Sequence, residues 1–414
     1  MMDIRLDRTF WPVGHGAFYT EELRGDSRFV AVYDCGGKNL PIVKKSINDF
    51  VNGLDSGALK PTIDLLFISH FHKDHINGVQ YLLSKANVRK IVLPHLAPLM
   101  LAEAYVYNAI VEGDETGNVS SDAQTFIHLL ATDRGAIDSE ILEVTSNLER
   151  INEERPDENH NTGTETIESG RGINIALGAT PLWTYIPVCI GYNENKCHEL
   201  LKKISETLSP EESLYNNDSV NWPKLMDILK HTPTSVIQNI YAETFGKRSE
   251  TTGKLVCNHN AYSMPVFSGP IEGVLMNCEM KGFANHDWSR CGWKEDDDYE
   301  LFSLHHWGYD RSTLSCLYMG DFEANRYLDP LKKELGRYYG YIGLQQVPHH
   351  FSEYNHNIDL YNRSEYAFGN IDNHKDVSFC VSICREIETI VDAPAIIMTE
   401  KNHYFKIKYW IFAK

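Results

Sequence analysis

Leu65-Leu66-Phe67-Ile68-Ser69-His70-Phe71-His72-Lys73-Asp74-His75-Ile76-Asn77-Gly78 is the stretch from which the rest of the chain can be read. An apolar run leads straight into four potential metal ligands: His70, His72, Asp74 and His75. In His-x-His the alternation sends both imidazoles to one side of an extended backbone, where they can share an ion. Asp74 and His75 then turn back toward a second ion, as the chain bends into a helix starting near Gly78. Imidazole and carboxylate donors suit zinc, and manganese or iron fits the same set. A solvated polar turn would need no buried strand before it.

Bulk properties narrow the partners. The 414 residues are 42% hydrophobic and 11% aromatic, ample for a sizeable core. No run of eighteen apolar residues occurs, so a membrane span is not expected. The opening MMDIRLDRTFWPVGHG has no apolar core of a secretory signal. Nine cysteines, scattered without any C-x-x-C pair, suit a reducing, cytoplasmic compartment, and Cys380 and Cys384 read as core thiols. The formal charge of −18 gives no basic track for long nucleic acid. Basic residues come only in short groups such as Lys44-Lys45, Lys202-Lys203 and Lys332-Lys333.

Working outward, strands are expected at 4–10 and 29–33, joined by a Val13-Gly14-His15-Gly16 turn, with an amphipathic helix over 41–54. A strand at 65–68, the ligand turn, a helix at 79–86 and a strand at 91–93 follow, which is α/β order. Helical segments are read at 101–111, 123–130 and 139–151, then a polar loop over 152–171. Residues 1–96 are thus expected to form the first half of a core and 97–172 a helical insertion or cap. Residues 173–276 continue the core with a helical insert, 277–310 form a second insertion, and 311–414 complete the core.

Two later motifs extend the ligand set. The apolar strand from Leu314 to Met319 ends in Gly320-Asp321, and a strand-terminal Asp can turn one oxygen to each of two ions. LQQVPHHFSEYN places His349 and His350 directly after another apolar strand. One of them suffices as a ligand, and its neighbour can position substrate or donate a proton.

In this order the motifs resemble the metallo-β-lactamase superfamily over most of the chain. The resemblance implies an α/β fold, a four-layer αββα sandwich with largely helical insertions. Asp34 in YDCGG takes the place of the first-motif Asp, which is mainly structural in that family. His70, His72, Asp74 and His75 match the second motif, Asp321 the bridging Asp, and His350 the final ligand. His259 in HNAYS takes the third-motif position, with His95, His231 and His286 as competitors. The branch most resembled is the ComEC-like one, which holds the soluble domain of a DNA-uptake protein and a phosphorylcholine esterase. Its marks are VGHG where the branch has VGQG, VPHHFS for VPHHGS, and a block from Ala367 to Ile390 where His374 replaces a branch His near the site. The chain departs from that branch in keeping a second His, His72, in the second motif where Asp is frequent, in Phe351 for Gly, and in its acidic middle.

The implied chemistry is hydrolysis at two divalent cations, with Zn2+ expected. His70, His72 and the third His would hold one, Asp74, His75 and His350 the other, and Asp321 both. A bridging hydroxide would attack phosphorus or a carbonyl carbon, with His349 or His374 orienting substrate or protonating the leaving group. A phosphodiesterase, acting as a nuclease or a nucleotide hydrolase, is the first expectation, and its substrate is a phosphoester, nucleotide or short or single-stranded nucleic acid. A carboxyl-ester, lactone or thioester hydrolase is the second. The third is a metal-stabilised scaffold whose insertions bind a protein partner.

Overall fold

The computed structural model describes residues 2–54, 57, 59–95, 97–112, 122–146, 165–190, 194–216, 219–248, 255–256, 263–271, 276–284, 299–306, 314–353, 355–362, 364–372, 377–390, 395–400 and 404–413. Two β-sheets face each other, each with helices on its outer side, which is the αββα order expected from the sequence.

The larger sheet runs, edge to edge, Tyr299–His306, Met276–Ala284, Phe405–Ala413, Met2–Phe10, Tyr19–Arg24, Arg28–Tyr33, Thr62–Phe67, Asn87–Pro94, Glu140–Thr145 and Glu165–Glu168. Its strands from Arg28–Tyr33 to Glu165–Glu168 are parallel. The second sheet runs Ile396–Met398, Tyr366–Asn370, Leu344–Gln346, Cys316–Tyr318, Val266–Pro270, Pro181–Pro187 and Ile173–Ala176. Between the sheets lies an apolar layer that includes Leu6, Phe10, Tyr19, Phe67, Val266 and Phe368. Helices Leu40–Gly53, Val79–Lys85, Pro98–Glu112, Asp122–Thr132, Glu194–Leu208, Trp222–His231 and Thr234–Phe245 share a second apolar cluster on the outer side of the larger sheet. Ala324–Leu335 and Val377–Glu388 lie against the other sheet.

Two segments differ from the sequence reading. Ser139 to Ile151 was expected to be helical, but Glu140–Thr145 is a strand paired in parallel with Asn87–Pro94. Its Leu142 and Val144 alternate inward, and this period-two signal spans too few residues to outweigh the helical pattern around it. The 277–310 segment, read as an insertion, contributes two antiparallel strands that extend the large sheet beyond Phe405–Ala413. No described helix is long and apolar enough to cross a membrane.

One buried polar network ties the two sheets together. Arg8 and Glu21, from the larger sheet, pair at 2.6 Å with both side chains out of contact with water. From the other sheet, Ser268, Tyr185 and Tyr318 donate to Glu21 at 2.6, 2.7 and 2.8 Å. The Arg8 guanidinium also donates to the Leu314 carbonyl and sits 5.5 Å from the Trp183 ring centre. Burial opposes ionisation of Glu21, but Arg8 and the hydroxyl donors outweigh it and lower its pKa. Such a network is stable only when every member is satisfied.

Candidate metal centre

The site is assembled where strands from both sheets end. Thr62–Phe67 stops just before Ser69, His70 follows, and His72, in extended backbone, takes the N-cap position of the short helix Lys73–Ile76. The rings of His70 and His72 lie 4.5 Å apart, as the His-x-His alternation implies. Asp34, at the end of Arg28–Tyr33, accepts from the Ser69 amide and hydroxyl, each at 2.7 Å. The same carboxylate takes the Nδ1 hydrogen of His75 at 2.7 Å. The turn has no room for side chains beside it, since a Cβ on Gly36 would come within 2.6 Å of the His75 backbone.

Helix Pro98–Glu112 braces this turn. Tyr107, on helix Pro98–Glu112, stacks on His72 at 4.1 Å, and the next residue, Asn108, donates to the Phe71 carbonyl at 2.8 Å.

The second half of the chain supplies the facing wall. Gly320 adopts a φ of +54°, and a Cβ there would lie 2.6 Å from Ser263 Oγ and 2.7 Å from Ser69 Cβ. The Asp321 amide donates to Ser263 Oγ at 3.0 Å, and its carbonyl accepts from Asn355 at 2.9 Å. His349, His350 and Phe351 follow with φ of +49°, +51° and +62°, a run that L-residues rarely adopt. Phe351, where the resembled branch has Gly, therefore carries backbone strain, while its side chain is wholly buried and abuts Gly369.

These restraints converge on Asp321. Its Oδ1 lies 3.1 Å from His75 Nε2 and 3.3 Å from His350 Nε2. Its Oδ2 lies 3.7 Å from His70 Nε2 and 3.5 Å from His349 Nε2. Asp74 Oδ2 stands 3.4 Å from His350 Nε2 and 3.9 Å from His75 Nε2. Among the described residues, two groups of donors result: His70, His75 and Asp321, and His15, Asp74 and His350.

The donors fit divalent cations. A carbonyl can only accept, so the contact of His350 Nδ1 with the Asn370 carbonyl at 3.2 Å puts the hydrogen on Nδ1. Asp34 does the same for His75. Each Nε2 is thus left buried and facing the carboxylates, the orientation second-shell acceptors give to ligating histidines. Burial pushes His72 down to about 4 and His70 well below its ordinary value, so both rings are neutral near pH 7. Burial opposes charge on His75 too, but Asp321, Asp34 and Asp74 outweigh it and raise its pKa well above the ordinary value. Asp74 and Asp321 are held well below the carboxylate range by neighbouring histidines, against the effect of burial.

The other candidates fall elsewhere. His95 contacts Glu143 at 3.0 Å, and His231 is exposed beside Asp227, so neither joins the cluster. His259, His286 and His374 lie outside the described residues. Ser263, four residues after His259, touches the Asp321 amide. Sequence reasoning passed over His15, whose Nε2 is 3.5 Å from Asp74 Oδ2 and whose ring is 4.0 Å from that of His350. A His framed by glycines, Gly14-His15-Gly16, was the available signal.

With this geometry in place, part of the chain can be set beside a known family. Residues 23–197 match the metallo-beta-lactamase superfamily. The matched segment contains His70, His72, Asp74 and His75, and the αββα layering is consistent with the fold of this superfamily. The match supports a metal-dependent hydrolase. No curated protein matches the chain. Among solved structures, the chain is similar to "a long form RNase Z from yeast" at 7% identity and a TM-score of 0.32, over 90% of this chain and 38% of that one. The chain therefore spans well under half of that structure's length.

Proposed function

We propose that this protein is a two-cation hydrolase of phosphodiesters. The observation that carries the reading is the division of Asp321 between two sets of imidazoles, His75 and His350 on Oδ1 and His70 and His349 on Oδ2. His70 and His72, joined by His259, would hold one cation, and Asp74, His75 and His350 the other, with Asp321 common to both. Two divalent ions there, zinc by donor type, would supply Lewis acidity and an activated water.

The chain's own groups do the rest. Asp34 and the Asn370 carbonyl hold His75 and His350 in the ligating tautomer. Tyr107 keeps His72 from rotating away. His349, 29% exposed at the rim, can hydrogen-bond a substrate oxygen or hand a proton to the leaving group. His374 is proposed to share that task. Asp74 is 21% exposed, so the mouth of the site opens to solvent on its side.

The preference for phosphodiesters rests on the ComEC-like motifs, and the net charge of −18 turns it toward nucleotides or short, single-stranded pieces in a cytoplasmic setting. Turnover of bis-p-nitrophenyl phosphate by the zinc- or manganese-loaded protein, abolished in Asp74→Ala, is the expected result. Lactone or thioester hydrolysis by a protein inert toward phosphodiesters would assign it to the ester class instead. Full metal loading with no hydrolysis of the whole panel would leave the scaffold reading.

A further inference from the structure

We propose that His15 is a further ligand of the cation held at Asp74 and His350. The inference rests on the two-cation reading and adds a donor that neither the motif order nor the family match supplies, since residues 23–197 begin after it.

Distances carry it first. Neighbouring donors at ~2.0–2.1 Å around one four- or five-coordinate ion stand about 2.9–3.6 Å apart. His15 Nε2 and Asp74 Oδ2 are 3.5 Å apart, and Asp74 Oδ2 and His350 Nε2 are 3.4 Å apart. All three donor atoms lie within 4.8 Å of one another. A ring that merely packed on His350 would have no need to aim a nitrogen at the Asp74 carboxylate.

The backbone carries it second. His15 sits between Gly14, at a φ of +70°, and Gly16, at +141°. A Cβ on Gly16 would fall 2.5 Å from the Asp74 carbonyl, and one on Gly14 would fall 2.3 Å from Glu400. The His15 carbonyl accepts from the Lys38 amide at 2.7 Å, and the Ala17 amide donates to the Asp74 carbonyl at 3.3 Å. The turn is thus bonded to the backbone of the residue whose carboxylate it faces, which fixes the two ligand positions relative to each other.

His15 is also the donor at the mouth. Its side chain is 24% exposed, whereas those of His75 and His350 are 0% and 4% exposed. It therefore stands with Asp74, 21% exposed, on the solvent side of the proposed second cation.

The test compares wild type with His15→Ala and His15→Gln. Each protein is stripped of metal and titrated with Co2+, following the cobalt d–d band, with stoichiometry from elemental analysis. Melting of the metal-free proteins, expected to be equal, shows that the variants fold. Wild type is expected to take two ions. Both variants should bind the first normally and the second at least roughly tenfold more weakly, the lower end of what even an outer partner of a ligand is worth. Variants that take both ions with unchanged affinity and an unchanged band would overturn the role of His15 and leave the two-cation reading standing. A wild type that takes fewer than two ions would overturn both.

Discussion

Asp34 Oδ2 stands 2.7 Å from His75 Nδ1, and both side chains are sealed from solvent. One carboxylate at the end of one strand therefore orients a proposed ligand from a turn forty-one residues later, and also grips Ser69 ahead of the His-x-His pair. Replacing it by Ala leaves both attachments empty. Asp34→Ala is expected to lower cation affinity about 10–100-fold, as loss of an outer-shell acceptor does, measured by competition with a chromophoric chelator. Unchanged affinity would make Asp34 a packing residue only.

Cation binding should release a proton. In the metal-free site Asp321, Asp34 and Asp74 overcome burial and keep His75 charged above its ordinary range, while His70 and His72 are already neutral at pH 7. A metal takes only the neutral ring, so the His75 proton must leave and affinity should rise with pH through neutrality. Calorimetric titrations with Zn2+ at pH 7, in buffers of different ionisation enthalpy, should show about one proton passed to buffer from this ring. Heats identical in every buffer would contradict this.

Helix Pro98–Glu112 should matter to the proposed metal site. Tyr107→Ala removes the ring stacked on His72 while leaving Asn108 to hold the Phe71 carbonyl. The cation shared by His70 and His72 is expected to bind roughly tenfold more weakly, since its ligand loses the partner that fixes its ring. An unaltered Zn2+ titration would show that helix Pro98–Glu112 only covers the sheet.

The inter-sheet network sets stability rather than chemistry. Glu21→Gln leaves the Arg8 charge buried without its partner and should cost about 3–5 kcal/mol in urea unfolding at pH 7. The folded pKa of Glu21 is depressed. Its contribution is therefore complete above the unfolded value, about 4.3, and fades as pH falls through the folded one. Wild type should thus lose more stability on acidification than the Gln variant does. Equal acid sensitivity would assign the loss to other carboxylates.

What could be read from the sequence follows from how local each signal is. His70, His72, Asp74 and His75 were visible because a single buried strand and the turn after it carry them all. Asp321 was visible as the polar end of an apolar strand, and the structure sets it opposite that turn. Glu140–Thr145 was misread because its pairing with Asn87–Pro94 bridges some fifty intervening residues and leaves only a short alternation in the sequence. His15, proposed as a further ligand, left little trace for a related reason. Its two glycines announce a turn, but only the packing of Gly16 against the Asp74 carbonyl shows what the turn faces.

Anomalous diffraction from crystals of the zinc-loaded protein tests the central claim most directly. Two zinc peaks are expected, one beside Asp321 Oδ1 with Asp74, His75 and His350, the other beside Oδ2 with His70 and His72. A single peak, or peaks that leave either Asp321 oxygen without a metal, would contradict the two-cation account.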